Sequence, residues 1–193
     1  GSDTFTGNGA NDGVVNTIRV ESAGTIVGLD GFANGVDVID VRSHANVEVQ
    51  GTTGNDVLDF SEVRFSNVGA GFEVDAGNNN DTITTSNKDS VNYRGGHGND
   101  TFNISTGQAA TFLYSGTNNG SDTFTGNGAN DGVVNTIRVE SAGTIVGLDG
   151  FANGVDVIDV RSHANVEVQG TTGNDVLDFS EVRFSNVGAG FEV

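Results

Sequence analysis

The chain has 193 residues, thirty glycines, no Cys, Pro, Met or Trp, and a formal charge of −18. Without cysteine it can form neither disulfides nor thiolate metal sites. With eight Lys and Arg against 26 Asp and Glu, it is a poor partner for nucleic acid or an anionic membrane. Apolar residues make up 35% of the chain, too few for a large spherical core yet too regularly placed for a disordered one. No apolar run approaches the length of a membrane span. So many carboxylates gathered into one fold would repel one another, which points to bound cations.

Read from the N-terminus, residues 1–74 recur letter for letter as residues 120–193, so the period is 119 and 75–119 occurs once. The expectation is a first unit, 1–119, and a partial second, 120–193, in one continuous solenoid that is a window onto a longer tandem array. A catalytic site gains little from verbatim copying, whereas length, valency and assembly gain directly.

The strand-like runs, in order, begin with "NTIRVES" (16–22), "DVIDV" (37–41), "VEVQ" (47–50) and "DVLDF" (56–60). "FEVD" (72–75), "DTITT" (81–85), "VNYR" (91–94), "DTFNI" (100–104) and "FLYS" (112–115) follow. Alternation turns Ile39, Leu58, Ile83, Phe102 and Phe124 inward, and Asp40, Asp59, Thr82, Thr84, Thr101 and Asn103 outward. Helical spacing is absent over any ten residues. The predicted fold is all-β, a right-handed parallel β-helix or β-roll-like solenoid with about 20 residues per coil. Counting 16–22 as a separate coil gives six coils per period and a rise of roughly 29 Å.

Between the strands lie Gly/Asn-rich bends that end in aspartate: "GTTGND" (51–56), "AGNNND" (76–81), "GGHGND" (95–100) and "TNNGSD" (117–122). Glycine and asparagine tolerate positive φ, so such bends can aim several carbonyl oxygens at one place, and the aspartate adds a charged one. Hard cations, calcium especially, take six to eight oxygen ligands. The plain alternative is an aspartate that caps its own backbone.

"GGHGNDTFN" (95–103) fits the nonapeptide Gly-Gly-x-Gly-x-Asp-x-apolar-x, and "GTTGNDVLD" (51–59) departs from it at one position. "TNNGSDTFT" (117–125) with "GNGANDGVV" (126–134) looks like two consecutive copies, while "AGNNNDTIT" (76–84) and "FANGVDVID" (32–40) are poorer in glycine. The pattern resembles the calcium-binding repeat of the RTX (repeats-in-toxin, haemolysin-type) family, a β-helix repeat. The resemblance implies Ca2+ held by Asp3, Asp12, Asp37, Asp56, Asp81, Asp100, Asp122, Asp131, Asp156 and Asp175. It places Gly51, Gly54, Gly95, His97 and Asn99 in the liganding bends, although the His97 side chain reads as surface filler. Most coils carry only one such bend, so calcium is expected mainly along one edge.

The same resemblance implies an extracellular chain, exported by type I secretion, that orders only where calcium is available. The expected function is a calcium-stabilised structural repeat of a surface protein: a stalk, adhesin extender or fibre that self-associates. No nucleophile–base pair, zinc spacing or phosphate loop suggests an enzyme. The alternatives are a calcium-binding module appended to a secreted enzyme, or an ice-binding solenoid. Outward Thr82, Thr101 and Thr123 favour ice binding, and Val38 and Val57 interrupt that array.

Overall fold

The computed structural model describes residues 2–6, 13–33, 35–126, 132–152 and 154–193. Eighteen short strands run through these residues, with no helix, and every strand pairing is parallel. The chain is a β-solenoid of about seven turns. Parallel pairing follows from the winding: each coil returns to the same side before the next strand is laid down, so neighbours share direction.

One column of Cα partners shows the winding most directly: Phe5, Phe32, Leu58, Ile83, Phe102, Phe124 and Phe151 stand in register from layer to layer. Phe124 is the copy of Phe5 one period on, and five steps separate them rather than six. The run 16–22 is therefore not a coil of its own. Its strand, Thr17–Arg19, is an additional face within the first coil and pairs with Val38–Asp40, which pairs with Arg64–Ser66. Ile39 thus belongs to this second face, not to the column of Leu58, although it points inward as expected. Five layers about 4.8 Å apart make each period about 24 Å long, shorter than six would.

A third face carries Val27, Val49, Val74, Tyr93 and Phe112 in register. Coils of the duplicated segment use three faces. The unique segment 75–119 winds more tightly, 19 residues from Ile83 to Phe102 and 19 from Tyr93 to Phe112. Ile26–Ala33 turns the corner between the third and first faces as one continuous strand, pairing at its start with Glu48–Gln50 and at its end with Val57–Asp59. Inward alternation holds at the expected positions: Ile39, Leu58, Ile83, Phe102 and Phe124 are all buried, and Thr82, Thr84, Thr101 and Asn103 are half-exposed. Where the coil is narrowest, Phe102 stacks on Phe124 with ring centroids 5.0 Å apart, and Phe112 meets each at 4.8 and 4.9 Å. Ring pairs at these distances add to the area they bury.

Candidate functional site

The glycine-rich bends at 51–56, 76–81 and 95–100 occupy the corner between the third and first faces, where successive layers pack backbone against backbone. Gly96 has φ +100°, and a Cβ there would stand 1.9 Å from the carbonyl oxygen of Gly77 in the layer below. No other residue type fits: backbone stacks directly on backbone, and only the absent side chain allows it. The strand pairing continues into these bends, with Gly96 opposite Gly77 and His97 opposite Asn78.

The aspartates that end the bends face inward. Asp56, Asp81, Asp100 and Asp122 are each no more than 2% exposed, because Asp56, Leu58 and Phe60 share one side of a strand and that side is the core. Three of these carboxylates accept a backbone N–H from the layer before: Asp56 N–H donates to Asp81 Oδ1 at 2.8 Å, Asp81 N–H to Asp100 Oδ1 at 2.9 Å, and Asp100 N–H to Asp122 Oδ1 at 2.8 Å. Beside this buried column runs an exposed one of opposite polarity. Asn80 N–H donates to Asn55 Oδ1, Asn99 N–H to Asn80 Oδ1, and Ser121 N–H to Asn99 Oδ1, at 2.9–3.1 Å. The dipeptide Asn-Asp therefore stitches a layer to both neighbours, the amide in one direction and the carboxylate in the other.

The second oxygen of each carboxylate separates the four. Asp56 Oδ2 accepts from the Thr52 N–H at 2.7 Å, and the Thr52 hydroxyl also donates to this carboxylate. Asp175, its copy, is closed the same way by Thr171. These two behave as the plain capping alternative requires. Asp122 Oδ2 accepts a hydrogen bond from the Tyr114 hydroxyl. Asp81 Oδ2 and Asp100 Oδ2, in adjoining layers, are buried with no partner. Burial accordingly pushes Asp100 up to about 6, Asp81 to about 7 and Asp122 to about 8, with neighbouring carboxylates adding to the rise at Asp81 and Asp122.

The first glycine of the motif has a steric reason. A Cβ on Gly95 would lie 2.1 Å from Asp100 Oδ2, and one on Gly51 would lie 2.8 Å from Asp56 Oδ2 and 2.0 Å from the Ala76 carbonyl. Gly54 meets nothing closer than the Thr52 hydroxyl at 3.5 Å.

The remaining expected ligands lie elsewhere. Asp37 and Asp156 sit on the second face, where each accepts a backbone N–H from the preceding layer, from Asn16 and Asn135, at 2.8 Å. Asp3 lies in the strand Ser2–Thr6, opposite Leu29, as Asp122 lies opposite Leu148. Asp12 and Asp131 lie outside the described residues. His97 is exposed, and Asn99 contributes its amide to the outer ladder.

The donor set at Asp81 and Asp100 fits a hard cation: two orphaned carboxylate oxygens in successive layers, beside bends rich in backbone carbonyls, with no nitrogen or sulfur ligand. Among the described residues no three Asp, Glu or His side chains converge. Most of the six to eight oxygens would therefore be carbonyls and water.

A second polar feature, missed in the sequence, lies on the outer side of the same corner. Gln50, Asp75 and Arg94 stand in register across three strands of the third face. Asp75 Oδ1 is buried without a partner, and burial raises this carboxyl to about 6. Glu48 and Glu73 pair in register beside them, and burial and the Glu73 charge raise Glu48. The alternation in "FEVD" marks Asp75 as outward, but nothing in the sequence shows which strands adjoin.

No family model, curated protein or solved structure matches the chain. The all-β solenoid stands on the geometry above.

Proposed function

We propose that this chain is a length of calcium-stiffened rod, a structural repeat of an extracellular surface protein such as a stalk, adhesin extender or fibre. The observation that carries the reading is the pair of unpartnered buried oxygens, Asp81 Oδ2 and Asp100 Oδ2, in consecutive layers. An isolated buried carboxylate is costly, and natural folds leave few such oxygens without a partner. Asp81 and Asp100 would hold the ion. Bound there, calcium supplies the positive charge that offsets two buried anions and ties one layer to the next. Ion binding confined to the stacked state adds its free energy to folding. Order would then follow the calcium supply, which suits a chain exported before it folds. The RTX-like bends support this reading, and the verbatim recurrence of residues 1–74 at 120–193 suits a rod that grows by stacking.

The test is thermal melting followed by circular dichroism, in EDTA and in excess calcium, with magnesium as control. Calcium is expected to raise the melting temperature of the native chain. The double variant Asp81→Asn/Asp100→Asn keeps the Oδ1 acceptors, as the asparagine ladder does, and so holds its metal-free melting while losing the calcium increment. An equal increment in both proteins, or none in the native chain, sinks the reading.

One observation favours a second reading. Thr82, Thr101 and Thr123 stand in register on the outer first face, beside Thr84, Asn103 and Thr125. This is a hydroxyl-bearing array of the kind that would suit an ice-binding surface. Val57 and Gly150 end it on either side, and the Thr125 hydroxyl is bonded to Asn103 at 2.8 Å. Thermal hysteresis in solutions of the 193-residue chain decides it.

A further inference from the structure

Two adjoining hollows run along the stack at the corner between the third and first faces. One, about 270 Å³, is lined by Gln50, Asp75, Asn78, Arg94, His97 and Asn118 among others. The other, about 350 Å³, shares Gln50, Gly77 and Asn78 and continues to Thr52 and Thr53. Together they form a groove crossing four layers, about 14 Å along the axis.

Its chemistry is specific. Asp75 presents a buried oxygen with no partner. Arg94, with five N–H donors, is held loosely at 3.5 Å by Glu73 and at 3.4 Å by Ser115. Gln50, Asn78 and Asn118 bring amides that both donate and accept. A polyanion is repelled by the −18 charge of the chain, and a lone cation by the guanidinium beside the carboxylate. A neutral ligand with adjacent hydroxyls satisfies all of these groups: the carboxylate accepts from it, the guanidinium donates to it and the amides do both.

We propose that this groove binds a neutral oligosaccharide laid along the solenoid axis. The groove and the proposed calcium site share the bends at 51–56, 76–81 and 95–100 but use different carboxylates: Asp75 faces outward with Arg94, while Asp81 and Asp100 face the core. Asp75, Asn78, Arg94, His97 and Asn118 fall in the segment that occurs once per period, so a tandem array carries one site every 119 residues. Individually weak sites at a fixed spacing on one rod give avidity toward a glycan-coated surface.

The test uses the 193-residue chain on a printed array of neutral and anionic oligosaccharides, followed by titration calorimetry with each glycan retained. Retention of at least one neutral glycan is expected, at one mole per chain, and two per chain once a further 119-residue period is appended. Asp75→Asn and Asn78→Ala are each expected to weaken binding about tenfold, and Asn78→Ala to do so with the melting temperature unchanged. Asn78 is exposed, so its loss leaves the fold intact even if Asp75→Asn does not. Retention of no neutral glycan, retention of anionic glycans alone, or affinity indifferent to both substitutions overturns the proposal. A missing calcium response with intact glycan binding would remove only the rod-stiffening reading.

Discussion

The backbone N–H of Asp100 donates to the carboxylate of Asp122 in the next layer at 2.8 Å, and the Tyr114 hydroxyl closes that carboxylate from the other side. This contact ends a column of four buried aspartates, and the layer beyond it places Leu148 opposite Asp122. The column makes the fold sensitive to pH. Asp100, Asp81 and Asp122 are raised from 3.8 to about 6, 7 and 8. A carboxyl raised in the folded state binds its proton more tightly there than in the unfolded chain. Its stabilisation is complete below about pH 4 and is lost as pH climbs through 6 to 8. For Asp100 alone the loss is on the order of 3 kcal/mol. In EDTA the chain is therefore expected to melt at least about 6 °C lower at pH 8 than at pH 5. Calcium should restore most of that difference at pH 8 and add little at pH 5, where protons already occupy the site. Melting curves that are flat between these pH values would show that these carboxyls are already ionised in the fold at pH 5, with nothing holding their protons on.

Tyr114→Phe isolates the last rung. It removes the one donor to Asp122 Oδ2 among the described residues and leaves the shape of the core intact, so the oxygen stays buried. The expected cost is about 1–3 kcal/mol at both pH 5 and pH 8, because without its donor Asp122 rises further and stays largely protonated at either pH. Urea titration at the two pH values measures it. A variant as stable as the native chain at both would mean that water reaches Asp122.

Gly95 and Gly54 both belong to the RTX-like motif, and the structure separates them. A methyl group on Gly95 meets Asp100 Oδ2 at 2.1 Å inside the core, whereas one on Gly54 has open space beyond the Thr52 hydroxyl at 3.5 Å. Gly95→Ala must displace a buried carboxylate and is expected to cost about 1–3 kcal/mol. Gly54→Ala should change stability by less than about 0.5 kcal/mol. Similar losses at both sites would mean that the bend needs glycine for something other than room.

Much of this architecture was legible in the residues, and what was not has identifiable causes. Period-two alternation placed Leu58, Ile83, Phe102 and Phe124 in the core because one face of each strand has nowhere else to go. The same alternation carries Asp56 inward with Leu58 and Phe60. That consequence was hidden by the general rule that carboxylates stay in water, a rule suspended here because the bend offers the Asp56 carboxylate the Thr52 backbone N–H. The coil count failed at residues 16–22, where a strand on a second face is indistinguishable in sequence from a coil of its own. The groove around Asp75 was invisible, since Gln50, Asp75 and Arg94 meet only through stacking.

The two ladders should contribute unequally, and a pair of substitutions measures by how much. Asn80→Ala removes an acceptor for the Asn99 N–H on the exposed side, where water replaces it, and should cost no more than about 1 kcal/mol. Asp81→Ala strands the Asp56 N–H inside the core and opens a small void beside Ile83. At pH 8 that loss is partly masked, because the substitution also removes a carboxyl whose ionisation is unfavourable in the fold. At pH 5 the folded carboxyl is neutral and the masking is much smaller. Denaturation at pH 5 in EDTA should therefore show Asp81→Ala costing about 2–4 kcal/mol, several times the loss at Asn80. Equal losses would place the stitching of the solenoid on its wet outer edge and leave the buried aspartates without a structural role.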